Sequence, residues 1–192
     1  HNITNVNTSV NNEIYKYNLQ SIYFDDSSYL KIDNIDGKLD LGNSNFTIEF
    51  YAKLNELNRT GLISYRSATI LEQGNYTNNQ WLFLYMYLDT VNNYKISLDI
   101  YASSYGDINI NDYYDKMTYY AITYNSNNGN YNWYINGNNV LSGTNTNKTS
   151  ASGSILIGAN KFQSTRNASQ NSHGTEKFYG YIDSIKITKK IL

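Results

Sequence analysis

Breaking a glycosidic bond with side chains alone takes two carboxyl groups flanking the bond, about 5–5.5 Å apart for retention or about 6.5–9.5 Å for inversion. The glutamates of this chain are Glu13, Glu49, Glu56, Glu72 and Glu176, and no Glu-x-Asp pair occurs anywhere. A serine triad needs a histidine between its acid and its nucleophile. The histidines here are His1, at the start, and His173, in a polar stretch. Those two with no cysteine leave zinc short of ligands. These absences predict a chain that is not an enzyme. What it holds in quantity is sugar-recognition chemistry: aromatic faces for the apolar side of a pyranose, and amide, carboxylate or guanidinium groups for its hydroxyls. With 21 tyrosines and two tryptophans the candidates are many. The favoured set is Trp81, Tyr85, Tyr87, Tyr101 and Tyr105, with Arg66 and Arg166, and the amides of Gln73 and Asn160 beside them. Most tyrosines must still be core or plain surface, and Trp133 reads as core.

Bulk properties narrow the classes. Basic and acidic groups number 15 and 16, a formal charge of -1, which argues against a nucleic-acid face. No run of about 18 apolar residues is present, so membrane insertion is not expected. At 192 residues and 40% hydrophobic content, the chain can bury a core without a disulfide or metal staple. The lack of cysteine leaves the compartment open. The 31 asparagines, the abundant tyrosine and the missing proline fit an AT-rich coding sequence, so Asn-x-Ser/Thr triplets are expected by chance. The chain begins His1-Asn2-Ile3 and reads as a piece of a longer protein.

The elements that must position those side chains follow a period of two. Phe46 to Ala52 alternates with Phe46, Ile48 and Phe50 on one face, and Tyr94 to Ile100 does the same with Ile96, Leu98 and Ile100. Tyr181 to Thr188 buries Ile185 and Ile187. Trp81 to Leu88 is apolar or aromatic on both faces, as in a central strand covered on each side. Further strands are expected at Glu13–Tyr17, Ser21–Phe24, Tyr29–Ile32, Leu62–Tyr65, Met117–Tyr124, Tyr131–Ile135 and Ser154–Ile157. Asn136-Gly137 and Asn128-Gly129 have the chemistry of tight hairpin turns. With no helical period, the pattern predicts an all-β, two-sheet antiparallel sandwich or jelly roll over residues 21–192, with residues 1–20 a linker or an added edge strand.

The order of blocks carries a family likeness. Ser21 to Leu30, Leu39-Asp40-Leu41-Gly42 and Phe46 to Lys53 resemble the opening strands of concanavalin A-like, laminin-G-like modules, with Tyr51 where those modules usually have tryptophan. Tyr119 to Tyr124 with Asn132 to Gly137 is similar to the family's central hairpin. Ile155 to Gly158 with Phe178 to Ile187 is similar to its close. The hairpin also resembles the lectin-like half of clostridial neurotoxin receptor-binding regions. The fold alone does not give function, since it serves lectins, adhesins, glycosidases and viral fibres.

The resemblance implies a concave sheet formed by Trp81–Leu88 and a neighbour over Ser97–Tyr105, with Arg66 and Arg166 on nearby loops, facing a glycan or glycoprotein. It also implies calcium, which such modules often hold and which wants six to eight oxygens. Asp25 and Asp26 in the acidic turn, with Asp183 in the closing strand, are the expected ligands. The glycosidases of this fold place their acids on one strand, a pattern missing here. The expectation is therefore a non-catalytic recognition module, extracellular or on a cell or virion surface, within a larger and multivalent protein. The rivals are an assembly domain of a fibre or surface protein without sugar binding, and the lectin-like half of a toxin receptor-binding region.

Overall fold

The alternation is realised strand by strand. In β5 (Phe46–Leu54) the side chains of Phe46, Ile48, Phe50, Ala52 and Leu54 are buried, while Glu49, Tyr51 and Lys53 between them are partly exposed. The computed structural model describes residues 2–16, 20–25, 28–34, 36–42, 44–55, 66–75, 80–89, 91–100, 103–146, 151–159 and 178–191. Within these, the side chains of 66–68, 75, 80–81 and 103–104 fall outside the description. The described residues hold fourteen strands and no helix. None of them therefore forms a helix long and apolar enough to cross a membrane.

Two seven-stranded sheets stack face to face. The first runs β1 (Ile3–Val6), β4 (Tyr29–Ile32), β13 (Ile155–Ile157), β6 (Arg66–Asn75), β7 (Gln80–Leu88), β8 (Tyr94–Ile100), β9 (Ser103–Asn109). The second runs β12 (Asn138–Thr144), β11 (Asn130–Ile135), β10 (Thr118–Tyr124), β5, β14 (Gly180–Thr188), β3 (Ser21–Phe24), β2 (Ser9–Asn11). Neighbours pair antiparallel, for example β5 with β10 (Ile48 opposite Ile122) and β7 with β8 (Leu84 opposite Leu98). This is the expected all-β antiparallel sandwich. The chain's start adds an edge strand to each sheet, β1 to one and β2 to the other.

Between the sheets lies one continuous core, in which Phe50 stacks on Tyr120 with centroids 5.5 Å apart. Trp133 is fully buried, and its indole N–H donates to the Tyr105 carbonyl at 2.6 Å. Gly106 beside it has φ +98°, which disfavours any other residue, and a Cβ there would lie 2.5 Å from a Leu141 methyl, which would have to move, and 3.2 Å from the Trp133 Nε1. Asn136 and Gly137 both take positive φ (50° and 81°), the geometry of the expected two-residue hairpin turn between β11 and β12.

Two expected strands fare differently. Residues 13–16 of the expected Glu13–Tyr17 strand are not extended. Instead the Asn11 side chain accepts from the N–H groups of Glu13 (2.9 Å) and Ile14 (2.7 Å), a local turn that captures the donors a ladder would need. Leu62–Tyr65 lies outside the described residues.

Candidate functional site

β7 is the strand that makes the first sheet two-faced. Leu82, Leu84, Met86 and Leu88 point into the core, and the alternate Phe83, Tyr85 and Tyr87 form a separate apolar cluster on the opposite, outer face. Phe83 stacks on Tyr85 (centroids 4.5 Å, 15°), and Tyr85 leans on Tyr87 (5.5 Å, 33°). The ladder then fixes what flanks this row. Glu72 of β6 lies opposite Phe83, and Phe83 opposite Asp99 of β8. Thr69 and Ser97 lie on either side of Tyr85. The two acids are therefore two strand spacings apart, roughly 9–10 Å, with a phenyl ring between them.

The row is covered. Phe83, Tyr85 and Tyr87 are 7%, 7% and 6% exposed, and Glu72, Thr69 and Ser97 almost not at all. The Tyr85 hydroxyl donates to Asp99 at 3.2 Å, and Ser97 approaches the other oxygen at 3.4 Å. Burial is the main force pushing the Asp99 carboxyl up to about 6. The Tyr85 bond opposes it, the Asp107 charge adds to it, and the Ser97 bond opposes it more weakly.

Of the expected sugar ligands, Tyr85 and Tyr87 stand on this face. Tyr105 does not: it is fully buried in the core, its ring 5.5 Å from that of Tyr124. Read as one strand, Ser97–Tyr105 gives Tyr105 the outward parity of Ser97 and Asp99. In fact β8 ends at Ile100 and β9 begins at Ser103. The returning strand pairs Ser104 with Asp99 and Asp107 with Ser97, so Tyr105 falls opposite Leu98, facing inward, and Gly106 is the bulge. Gln73 is also structural. Its amide accepts from the Leu41 N–H and donates to the Leu39 and Gly153 carbonyls, all within 3.0 Å, stapling two loops together. Trp81 and Arg66 are placed by backbone register only, opposite Gly74 and Leu88. Tyr101, Asn160 and Arg166 lie outside the described residues.

The expected calcium ligands do not converge. β3 and β14 pair over Phe24–Ile22 against Gly180–Ile182. Asp25 continues past one end of that pairing and Asp183 past the other, about four residues or roughly 13 Å apart along the strands. Ser28 closes the turn at Asp25, its hydroxyl accepting from the Asp25 N–H at 2.8 Å. The Asp183 oxygens accept from the Lys16 N–H (3.0 Å) and the Ser184 hydroxyl (2.7 Å). Asp26 is outside the described residues. Among the described residues no three His, Cys, Asp or Glu side chains gather as a metal site. The donors present do not fit a calcium shell of six to eight oxygens.

The sequence profile of the concanavalin A-like lectin/glucanase superfamily, in its laminin-G-like form, matches residues 24–192. The chain belongs to that superfamily. No curated protein matches it. Among solved structures, the botulinum neurotoxin serotype G binding domain aligns with a TM-score of 0.65 at 17% identity, covering 100% of this chain and 44% of that one. The chain thus spans under half the length of the toxin binding domain. Domain 4 of AbnA, an extracellular arabinanase from Geobacillus stearothermophilus solved with arabinotriose, aligns at 0.58 and 16% identity, covering 100% and 82%. Mouse laminin α1 domains LG4-5 align at 0.51 and 11% identity, covering 85% and 40%. At these identities the likeness is one of fold. Sequence reasoning missed Glu72 and Asp99 as partners of the aromatic row. Asp99 was legible as the polar side of an alternating strand, and Glu72 as a lone acid beside Ile70 and Leu71.

Proposed function

We propose that this concanavalin A-like domain is a non-catalytic recognition module that binds a carbohydrate or glycoprotein on a cell or virion surface, within a larger extracellular protein. The observation that carries the reading is the outer row Phe83–Tyr85–Tyr87 with hydrogen-bonding acids on both sides. Ring faces take the apolar side of a sugar, and Glu72, Asp99 and Ser97 take its hydroxyls. A related fold solved with arabinotriose supports this class of ligand. Catalysis is disfavoured because Phe83 stands between the acids, where a scissile bond and its water would have to lie. Because the rings are covered, binding includes an opening step that lowers affinity in proportion to the open fraction. Display in several copies then supplies firm attachment.

The test is a glycan array with the wild type, Tyr85→Ala and Trp81→Ala, each checked for folding by near-ultraviolet circular dichroism. The expected result is signal with the wild type and its loss in both variants. Signal that survives both substitutions would overturn the assignment of this face. A second reading, an assembly domain, is favoured by the half-exposed tyrosines on the other sheet, where Tyr23 lies 5.1 Å from Tyr181 and Tyr51 5.2 Å from Tyr119. Aromatic side chains are enriched at protein interfaces. A silent array together with concentration-dependent self-association would select it.

A further inference from the structure

The four sheet edges are not equally protected. β1 has four residues and β2 three, and β9 is interrupted by its bulge at Gly106. β12 runs seven residues at the edge of the second sheet, and its Asn138, Asn139, Val140, Ser142 and Thr144 are exposed. One irregularity, between Trp133 and Tyr134, leaves Val140 as an extra residue, and from Leu141 to Thr144 the ladder is regular. The Asn145 N–H donates to the Gly129 carbonyl at 2.9 Å, so position 145 turns its backbone toward β11. By antiparallel alternation Gly143 and Leu141 do the same, and Ser142 and Thr144 turn their N–H and C=O groups out to the open edge. Among the described residues β12 pairs with β11 alone.

Free strand edges are templates for pairing, and proteins usually blunt them with charge, proline, a bulge or shortness. β12 has its bulge at Val140 and nothing that blunts the stretch after it. Residues 117–147, which include all of β10, β11 and β12, carry no Asp, Glu, Lys or Arg, although the chain holds 15 basic and 16 acidic groups. On β9, the strand of the other sheet that borders β12, the one charged residue is Asp107, which lies opposite Ser97 on the outer face of the first sheet. A two-fold contact sets each residue near its own copy, so a charged edge would repel itself, and this edge has no charge. Its centre is also open: Gly143 has no side chain, and a Cβ there would run into the Tyr131 ring. The hydroxyls on either side are already fixed, Ser142 donating to Asn132 at 2.7 Å and Thr144 to Asn130 at 2.9 Å, so little freedom is lost on pairing. From this uncharged, unpaired edge we infer that β12 binds a second copy of the chain. Leu141–Asn145 pairs antiparallel with its own copy about Gly143, setting Ser142 against Thr144 of the partner subunit, and the second sheet continues from one copy into the other. The β7 rows belong to the first sheet, so both stay available in the pair.

The experiment is sedimentation equilibrium of the full chain from about 10 µM to about 1 mM, since a short edge gives a weak, transient dimer. The wild type is expected to rise from the mass of one chain toward that of two. Ser142→Pro removes an N–H of the open edge, and Thr144→Lys brings two like charges close to the two-fold axis. Each is expected to keep the mass of one chain throughout. Thr144 is exposed, so its variant answers the question if the proline variant does not fold. Thr4→Lys on the β1 edge is the control and is expected to dimerise like the wild type. In amide hydrogen exchange, Ser142 and Thr144 are expected to slow about tenfold once about nine-tenths of the chain is dimeric. A one-chain mass at about 1 mM, a dimer that survives both edge variants, a dimer lost in Thr4→Lys, or slowing at other amides without slowing at Ser142 and Thr144 would each overturn the inference. The glycan-array result is independent of these outcomes, because no residue of the β7 row is altered.

Discussion

The outer faces of the two sheets are both rich in aromatic rings, yet they are opposite in character. On the first sheet Phe83, Tyr85 and Tyr87 stack along one strand, are more than nine-tenths buried, and are flanked by the buried Glu72 and the partly buried Asp99. On the second sheet the tyrosines pair across strands and stay partly exposed. Tyr119 donates to Glu49 at 2.8 Å, Lys186 reaches the same acid at 3.2 Å, and Lys53 lies 5.9 Å from the centre of the Tyr181 ring. Tyr23 shows the intermediate case: its hydroxyl is raised in pKa first by burial and then by its bond with Tyr179. The lesson is that aromatic count does not identify a site. Cover and charge do, because a buried ring with a buried acid holds free energy that a ligand can redirect, and a half-wet ring mostly does not.

The largest expected effect tests the difference in cover. Phe83→Ala should lose roughly 3–5 kcal/mol in urea unfolding, as a buried aromatic does. Tyr181→Ala, on the wetter face, should lose less than about 1.5 kcal/mol, in line with partly exposed positions. Equal losses would erase the distinction. Next comes pH. The Asp99 carboxyl is raised to about 6 in the folded chain, above its value of 3.8 when solvated, so the folded state binds the proton more tightly. Its contribution is therefore fully present below pH 3.8 and is lost as pH rises through about 6. The span amounts to at most about 3 kcal/mol. Asp99→Asn should flatten that slope and stand more stable than the wild type above pH 6. An unchanged slope would remove Asp99 as its origin. On the second sheet, Tyr119→Phe breaks one hydrogen bond to Glu49 and should cost about 1 kcal/mol by thermal unfolding. Lys186→Ala, largely in solvent, should cost about 0–1 kcal/mol and less at high salt. The smallest effect concerns the separated acids Asp25 and Asp183. Calcium added to chelator-treated protein should leave the unfolding midpoint essentially unmoved, and a clear upward shift would show that a site does assemble.

Legibility followed locality. β3 and β4 appear with the bounds their side-chain alternation predicts, and the Asn136-Gly137 turn takes the backbone its residue types require. In the doubly apolar Trp81–Leu88 run, residues 82–88 are buried on both faces of the strand. Tyr105 was misplaced because two residues of turn reset the inside–outside parity, which no periodicity within one strand reveals. Asp25 and Asp183 are held apart for a related reason. Proximity of β3 and β14 was correct, but antiparallel pairing carries Asp25 and Asp183 to opposite ends of it. Glu13–Tyr17 has strand composition, and one asparagine side chain just before it diverts its backbone.

By itself the sequence determined the β class, the sandwich, the buried faces of β5 and β8 and the likeness to the superfamily, since these depend on alternation and turn chemistry between near neighbours. Only the tertiary structure decided that Glu72, Phe83 and Asp99 share one row and that Tyr105 is core. Those are matters of register between strands far apart in the chain. A shift of one residue there exchanges inside for outside while leaving each strand's own pattern unchanged.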